Sequence, residues 1–156
     1  MYNEVSLGGT MKKGFTLIEL LIVMVVLGIL VTIALPKYRS SLERGRAMEG
    51  INNLRAASDA VNARYVMDEN SYANVKAKDI AMGNLAKSRS FTAPSLGTVS
   101  TTATTISLTR EGGEYSLSAY NTDGELKYIT CTGDTELCQA IGAEYSGGSY
   151  IFDFTK

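Results

Sequence analysis

Histidine is absent from this chain of 156 residues, and cysteine occurs only twice. Without imidazole there is no Ser-His-Asp or Cys-His catalysis, and no zinc site that depends on a histidine nitrogen. Two thiols cannot build a four-thiolate zinc centre either. A strong net charge is also missing, because fifteen Lys and Arg face sixteen Asp and Glu for a net charge of −1. Such a chain has no overall field to attract nucleic acid or an acidic membrane. No glycine-rich phosphate motif is present. The nine tyrosines are not interleaved with basic residues in the manner of a nucleic-acid groove. Asp123, Glu125, Asp134 and Glu136 follow no calcium-loop order and read as a solvated acidic loop. These absences call for no cofactor, no metal and no specific nucleic-acid partner, and they make an enzyme the least supported class.

What the chain does have is one long apolar stretch, MKKGFTLIELLIVMVVLGILVTIALP, from Met11 to Pro36. It opens on Lys12, Lys13 and Gly14, then stays apolar from Phe15 to Leu35 apart from Thr16, Glu19, Gly28 and Thr32. As a helix, roughly 21 residues would span about 31 Å, enough to cross a bilayer. A basic start followed by an apolar run is also how a secretory signal begins, but no clean A-x-A site follows Leu35. The small residue sits before the run instead, so a cut after Gly14 would leave the helix on the mature chain. Glu19 is the second departure from a plain anchor. A carboxylate deep in a bilayer costs on the order of 2.5 kcal/mol or more and demands a partner. Pro36 is the third, and would kink or end a helix.

The continuous pattern K-G-F-T-L-I-E-L, then about fifteen mostly apolar residues and a proline, resembles the amino-terminal signature of type IV prepilins with class III signal peptides. The resemblance runs from Lys12 to about Tyr38 and is closest to major pilins of the type IVa kind. It implies that a prepilin peptidase of the membrane cuts between Gly14 and Phe15 and methylates the new amine of Phe15. It implies that Glu19 pairs with the amine of a neighbouring Phe15 during assembly, and that Gly28 and Pro36 are positions where the helix can melt as a fibre stretches. The partners so implied are identical subunits in a homopolymer, the prepilin peptidase and the inner-membrane pilus assembly machinery. The precursor is expected in the cytoplasmic membrane and the product in a surface filament for adhesion, twitching motility or DNA uptake. A pseudopilin of a secretion system or a minor pilin would share this processing, whereas a non-polymerising membrane-anchored binding domain would neither be cut nor depend on Glu19.

Five regions follow. Residues 1–14 are expected to be a leader, with Met11 an alternative start to Met1, and 15–36 the transmembrane and fibre-core helix. Residues 37–67 are expected to extend the helix in amphipathic form, with Tyr38, Leu42, Ala47, Ile51, Leu54, Val61 and Tyr65 as its apolar stripe. The Asp68-Glu69-Asn70-Ser71 cluster ends it. Residues 68–98 read as a connecting loop with a short helix near Asp79–Lys87. Residues 99–156 read as a sheet, with strands at Val99–Arg110, Glu114–Asn121, Glu125–Cys131 and Ser149–Thr155 separated by turns at Gly112-Gly113 and Asp123-Gly124. The expected fold is α+β, a long N-terminal helix packed on a four-stranded antiparallel sheet.

Charge beside the apolar run conflicts with the resemblance. Lys37, Arg39, Arg44 and Arg46 follow it and only Lys12 and Lys13 precede it, so a simple count puts the carboxyl-terminal part in the cytoplasm. The resemblance puts it outside, and the cysteines favour an oxidising compartment. Glu43 and Glu49 are positioned to pair with the arginines. Cys131 and Cys138 enclose six residues, a gap unlike redox motifs, and a disulfide is expected over free thiols or a redox pair. Closing so short a loop contributes roughly 2.5 kcal/mol in the chain-entropy model. The resemblance implies that this bond ties the last strand region to the sheet.

Overall fold

A computed structural model describes residues 14–80 and 88–154. The chain divides between Lys37 and Tyr38 into two units. Its elements are helix α1 (Leu17–Met67), α2 (Ala77–Ile80), strands β1 (Ser95–Val99), β2 (Ala103–Thr109), β3 (Tyr115–Thr122) and β4 (Glu125–Gly133), α3 (Thr135–Ala140), β5 (Glu144–Ser146) and β6 (Ser149–Asp153).

Among its described residues, the first unit contributes the start of α1. The helix continues through Pro36 rather than ending there, although the ring removes one backbone donor. Helix-forming residues on both sides carry the backbone across that single missing bond. Thr32, four residues earlier, turns its hydroxyl onto the carbonyl of Ile29 at 2.7 Å.

In the second unit, α1 buries Ala47, Gly50, Ile51, Leu54, Ala57, Ser58, Val61 and Tyr65. Spacings of three and four keep these residues on one side of the helix. That side meets Ile106 and Leu108 of β2, Tyr115, Leu117 and Ala119 of β3, and Ile129 and Cys131 of β4 in one core. The sheet strands β2 and β3 alternate buried and half-buried positions along their length, so one face is core and the other is not. The α+β class and the packing of the helix on an antiparallel sheet are as the periodicities predict. The upper part of the stripe is not. Tyr38 is 62% exposed and Leu42 is 42% exposed, because the core begins only at Ala47.

The sheet has six strands, not four, in the order β1-β2-β3-β4-β6-β5, with every neighbouring pair antiparallel. The segment expected as one strand from Val99 to Arg110 is two. Ser100 closes a turn on Ala103, accepting from its amide at 3.0 Å and donating its own N–H to its carbonyl at 2.8 Å. No glycine or proline marks that turn, which hid it. The sheet therefore starts at Ser95, inside the stretch expected to be loop. The second addition, β5, is three residues long and pairs with β6 across Gly147 and Gly148, both at positive φ. Its three residues are all exposed, so it carries no hydrophobic alternation to read.

Two helices also differ from expectation. The helix expected near Asp79–Lys87 is seen as α2 at Ala77–Ile80, and residues 81–87 lie outside the described residues. The stretch between the cysteines, expected as an acidic loop, holds α3. The carboxylate of Asp134 caps it, accepting from the amides of Glu136 at 2.9 Å and Leu137 at 3.1 Å. A carboxylate at this position satisfies amides that the first helical turn leaves unpaired. Residue 155, expected to end the last strand, also lies outside the described residues, and β6 ends at Asp153.

Candidate functional site

From Phe15 to Leu35 the large apolar side chains are exposed. Phe15 is 91% exposed, Leu17 82%, and the run stays about half exposed or more to Leu35. Among the described residues α1 is the helix long and apolar enough to cross a membrane, and none of its most apolar window is buried. So much contiguous apolar surface cannot be a water-facing surface, because patches beyond a few hundred Å² mark a partner or a membrane. Gly14 precedes the helix in non-helical backbone, and a side chain there would meet nothing within 4 Å. The Gly14–Phe15 peptide bond is thus open on the chain surface. Gly28 is equally open, inside the helix.

Glu19 is held within its own chain. Its carboxylate accepts from the backbone N–H of Thr16 at 2.8 Å and from the Thr16 hydroxyl at 2.8 Å. The Glu19 amide in return donates to the Thr16 hydroxyl oxygen at 3.3 Å. This reciprocal pair is a capping box, which satisfies donors that a helix start leaves unpaired. Sequence reasoning missed it, although Thr-Leu-Ile-Glu ahead of an apolar run is its local signal. Phe15 and Glu19 line one shallow patch together with Leu20, Ile22 and Val23, so the aromatic and the only carboxylate of the run share a face.

The second unit carries a charged cluster instead of a reaction centre. Glu43 accepts from Arg46 Nη1 at 3.0 Å and from Arg110 Nε at 2.5 Å, and Tyr115 Oη lies 3.4 Å from the same carboxylate. Burial pushes the Glu43 carboxyl upward, but the hydrogen bonds and charges of Arg110 and Arg46 outweigh it and leave it below its ordinary value. The hydrogen bond to Glu43 likewise raises Arg110. Burial, then the Glu43 charge, keeps the Tyr115 phenol neutral well above its ordinary range. Glu49 accepts from Ser88 Oγ at 2.9 Å, which lowers it. Of the expected arginine partners, Glu43 takes Arg46 only, and its other partner is the residue that follows β2. That residue, Arg110, gave no local signal.

Cys131 and Cys138 are joined, with Cα atoms 5.8 Å apart. The bond ties α3 to β4, not the last strand to the sheet as the resemblance implies. Of the acidic residues at first considered, Asp134 caps α3 and Glu125 pairs with Lys127 at 2.7 Å. Among the described residues no group of three or more His, Cys, Asp or Glu side chains is placed to hold a metal ion.

Fold and site together define a structural protein whose amino-terminal helix requires partners outside its own chain. A profile of the prokaryotic N-terminal methylation motif matches residues 9–35. The type IV major pilin protein PilE of Neisseria gonorrhoeae is 32% identical over 127 residues, covering 77% of this chain and 74% of its own. A fimbrial protein of Neisseria meningitidis serogroup A is 31% identical over 124 residues, covering 77% and 73%. Fimbrial protein Q of Moraxella bovis is 44% identical over 52 residues, a third of each chain. No solved structure matches the chain significantly. The chain belongs to the type IV pilin family; it is a structural subunit of a pilus and not an enzyme.

Proposed function

We propose that residues 1–14 are a leader removed by the prepilin peptidase between Gly14 and Phe15, and that methylated Phe15 begins the mature subunit. The precursor resides in the cytoplasmic membrane through residues 15–36. The inner-membrane assembly machinery then draws it into a surface filament of identical subunits, where residues 15–36 form the core and the region from 37 onward faces outward. The single observation that carries this reading is the run from Phe15 to Leu35, exposed throughout and bearing one carboxylate. Lipid before assembly and neighbouring helices after it are the two environments that fit such a surface. The relatives named as major pilins support a major rather than a minor role. A pseudopilin or minor subunit is the second reading.

In assembly, the Glu19 carboxylate pairs with the amine of Phe15 on a neighbouring subunit, since neither charge is tolerated alone in an apolar core. To do so it must share or give up its bonds to Thr16. Gly28 and Pro36 then weaken the helix between them, one by backbone freedom and the other by a missing donor, which lets the fibre extend.

Intact-mass measurement of filaments sheared from cells tests the processing. A dominant chain starting at methylated Phe15 and two hydrogens light for its disulfide is expected. A processed chain confined to the membrane fraction would favour the pseudopilin reading, and an uncut chain would remove the polymer. Glu19→Gln separates charge from capping, because glutamine can also complete a capping box. Processing without filaments is expected from both Glu19→Gln and Glu19→Ala. Normal filaments from Glu19→Gln would show that only the cap matters.

A further inference from the structure

We infer that residues 37–44 of α1 form a headgroup collar that binds anionic phospholipid while the subunit is in the membrane. This rests on the membrane-embedded precursor proposed above. The overall charge of −1 conceals a strong local imbalance. Lys37, Arg39, Arg44 and Arg46 follow the apolar run within eleven residues of Leu35, with Glu43 as the only carboxylate among them. Glu43 is already engaged by Arg46 and Arg110. Lys37, Arg39 and Arg44 are exposed, and none has an ion pair or hydrogen bond among the described residues.

Three further observations point to a lipid surface as the occupant. The collar is continuous along the helix with the apolar span that requires a bilayer. Tyr38 sits within it, 62% exposed and outside the core, and an exposed tyrosine at the end of an apolar span is a typical occupant of the membrane interface. The length also fits. Residues 37–44 cover about 10 Å of helix axis, comparable with the roughly 5–8 Å of one headgroup layer once side-chain reach is included. The Arg44 guanidinium passes beside Gly142 and stays exposed. Phosphate oxygens complement guanidinium in both charge and geometry. The lipid anions thereby supply the counter-charge for a cation-rich flank on the side where a simple charge count does not place it.

The chain has no tryptophan, so Tyr38→Trp introduces a single indole reporter. The full chain carrying it is reconstituted in phosphatidylcholine vesicles doped with brominated phosphatidylglycerol or brominated phosphatidylcholine, and indole quenching is compared at equal bromine content. Stronger quenching by the anionic lipid is expected at low salt, with each cation contributing up to roughly five-fold in local lipid preference. The preference should collapse at high salt. Adding Lys37→Gln, Arg39→Gln and Arg44→Gln should bring the two lipids level, whereas Arg39→Lys with Arg44→Lys should retain the preference. Equal quenching with the collar intact would overturn the inference, as would a preference that survives removal of all three cations. Quenching by neither lipid would place the indole outside the bilayer interface and overturn the membrane reading itself. Far-ultraviolet circular dichroism shows whether each variant keeps its fold; a neutralised variant that loses it is replaced by the salt titration of the parent, where an unscreened preference would equally sink the collar.

Discussion

Glu43 and Arg110, 67 residues apart in sequence, meet as an ion pair in which both side chains are nearly buried, at 13% and 11% exposure. The pair joins α1 to the residue that follows β2. Arg110 also donates through Nη1 to the carbonyls of Ser90 at 3.0 Å and Glu111 at 2.8 Å, so one guanidinium gathers three segments of the second unit.

Removing one member of that pair should cost more than removing a surface charge. Arg110→Met leaves Glu43 with Arg46 and the long Tyr115 contact, and removes one of the two donors to the Ser90 carbonyl, for an expected loss of about 2–4 kcal/mol by urea unfolding. The pH dependence follows from the lowered Glu43 carboxyl. Its contribution is fully present above the unfolded carboxylate value of about 4.3 and is lost as pH falls through the lower folded value. Unfolding midpoints should hold from about pH 7 to about pH 5 and then decline, with a shallower acid decline in Glu43→Gln. An acid limb of identical slope in that variant would assign the decline to other carboxylates.

Tyr72 reaches across the other end of the helix–sheet contact. Its hydroxyl donates to Asn62 Oδ1 at 2.6 Å and accepts from the Gly124 amide at 3.0 Å, while Asn62 Nδ2 donates to Asn121 Oδ1 at 3.3 Å. Tyr72→Phe keeps the ring against Tyr65, with centroids 4.4 Å apart and planes inclined at 36°, and deletes only the hydroxyl. A loss of about 1–3 kcal/mol is expected, with faster hydrogen exchange at the Gly124 amide. Unchanged exchange there would mean the bond contributes nothing.

Gly50 lies in mid-helix, where alanine would ordinarily be favoured by about 1 kcal/mol. Here a methyl would stand 2.8 Å from the Phe91 ring and 3.1 Å from Leu117 Cδ1. Phe91 is 2% exposed and in edge contact with the Tyr115 ring, so it has little room to yield. Gly50→Ala should lower stability by about 1–2 kcal/mol in spite of its better helix propensity. Gly45→Ala, where nothing lies within 4 Å, should not lower it. Thermal melts of the two variants make the comparison, and equal shifts would remove the packing argument.

Reducing the bond between Cys131 and Cys138, or replacing both cysteines by alanine, should lower stability by about 2.5 kcal/mol, the chain-entropy value for so short a loop. Hydrogen exchange should accelerate first in α3, which depends on the bond and on the Asp134 cap. Loss of protection beginning in β2 and β3 would contradict this localisation.

Much of the fold was legible because its signals are local. The three-and-four spacing from Ala47 to Tyr65 marks the helix face, and alternation with glycine turns marks β3 and β4. Where local signals were absent, the reading failed. The turn at Ser100 uses hydroxyl chemistry in place of glycine, and β5 is too short and too exposed to alternate. Of the candidate site, the apolar run and the cysteine pair could be read directly. The Thr16–Glu19 cap is equally local, but a carboxylate in an apolar run also fits pairing with a distant cation, and spacing alone does not separate the two.

By itself the sequence determined the properties that reside within a few turns of chain: an apolar segment long enough to span a bilayer, the capped start of that helix, its amphipathic continuation and the short cysteine loop. Each depends on composition and spacing alone. The tertiary structure alone decided which carboxylate Arg110 meets, that β6 inserts between β4 and β5, and that Tyr38 and Leu42 remain outside the core. These depend on which surfaces come together across tens of residues, where burial and charge pairing choose among partners that local periodicity cannot tell apart.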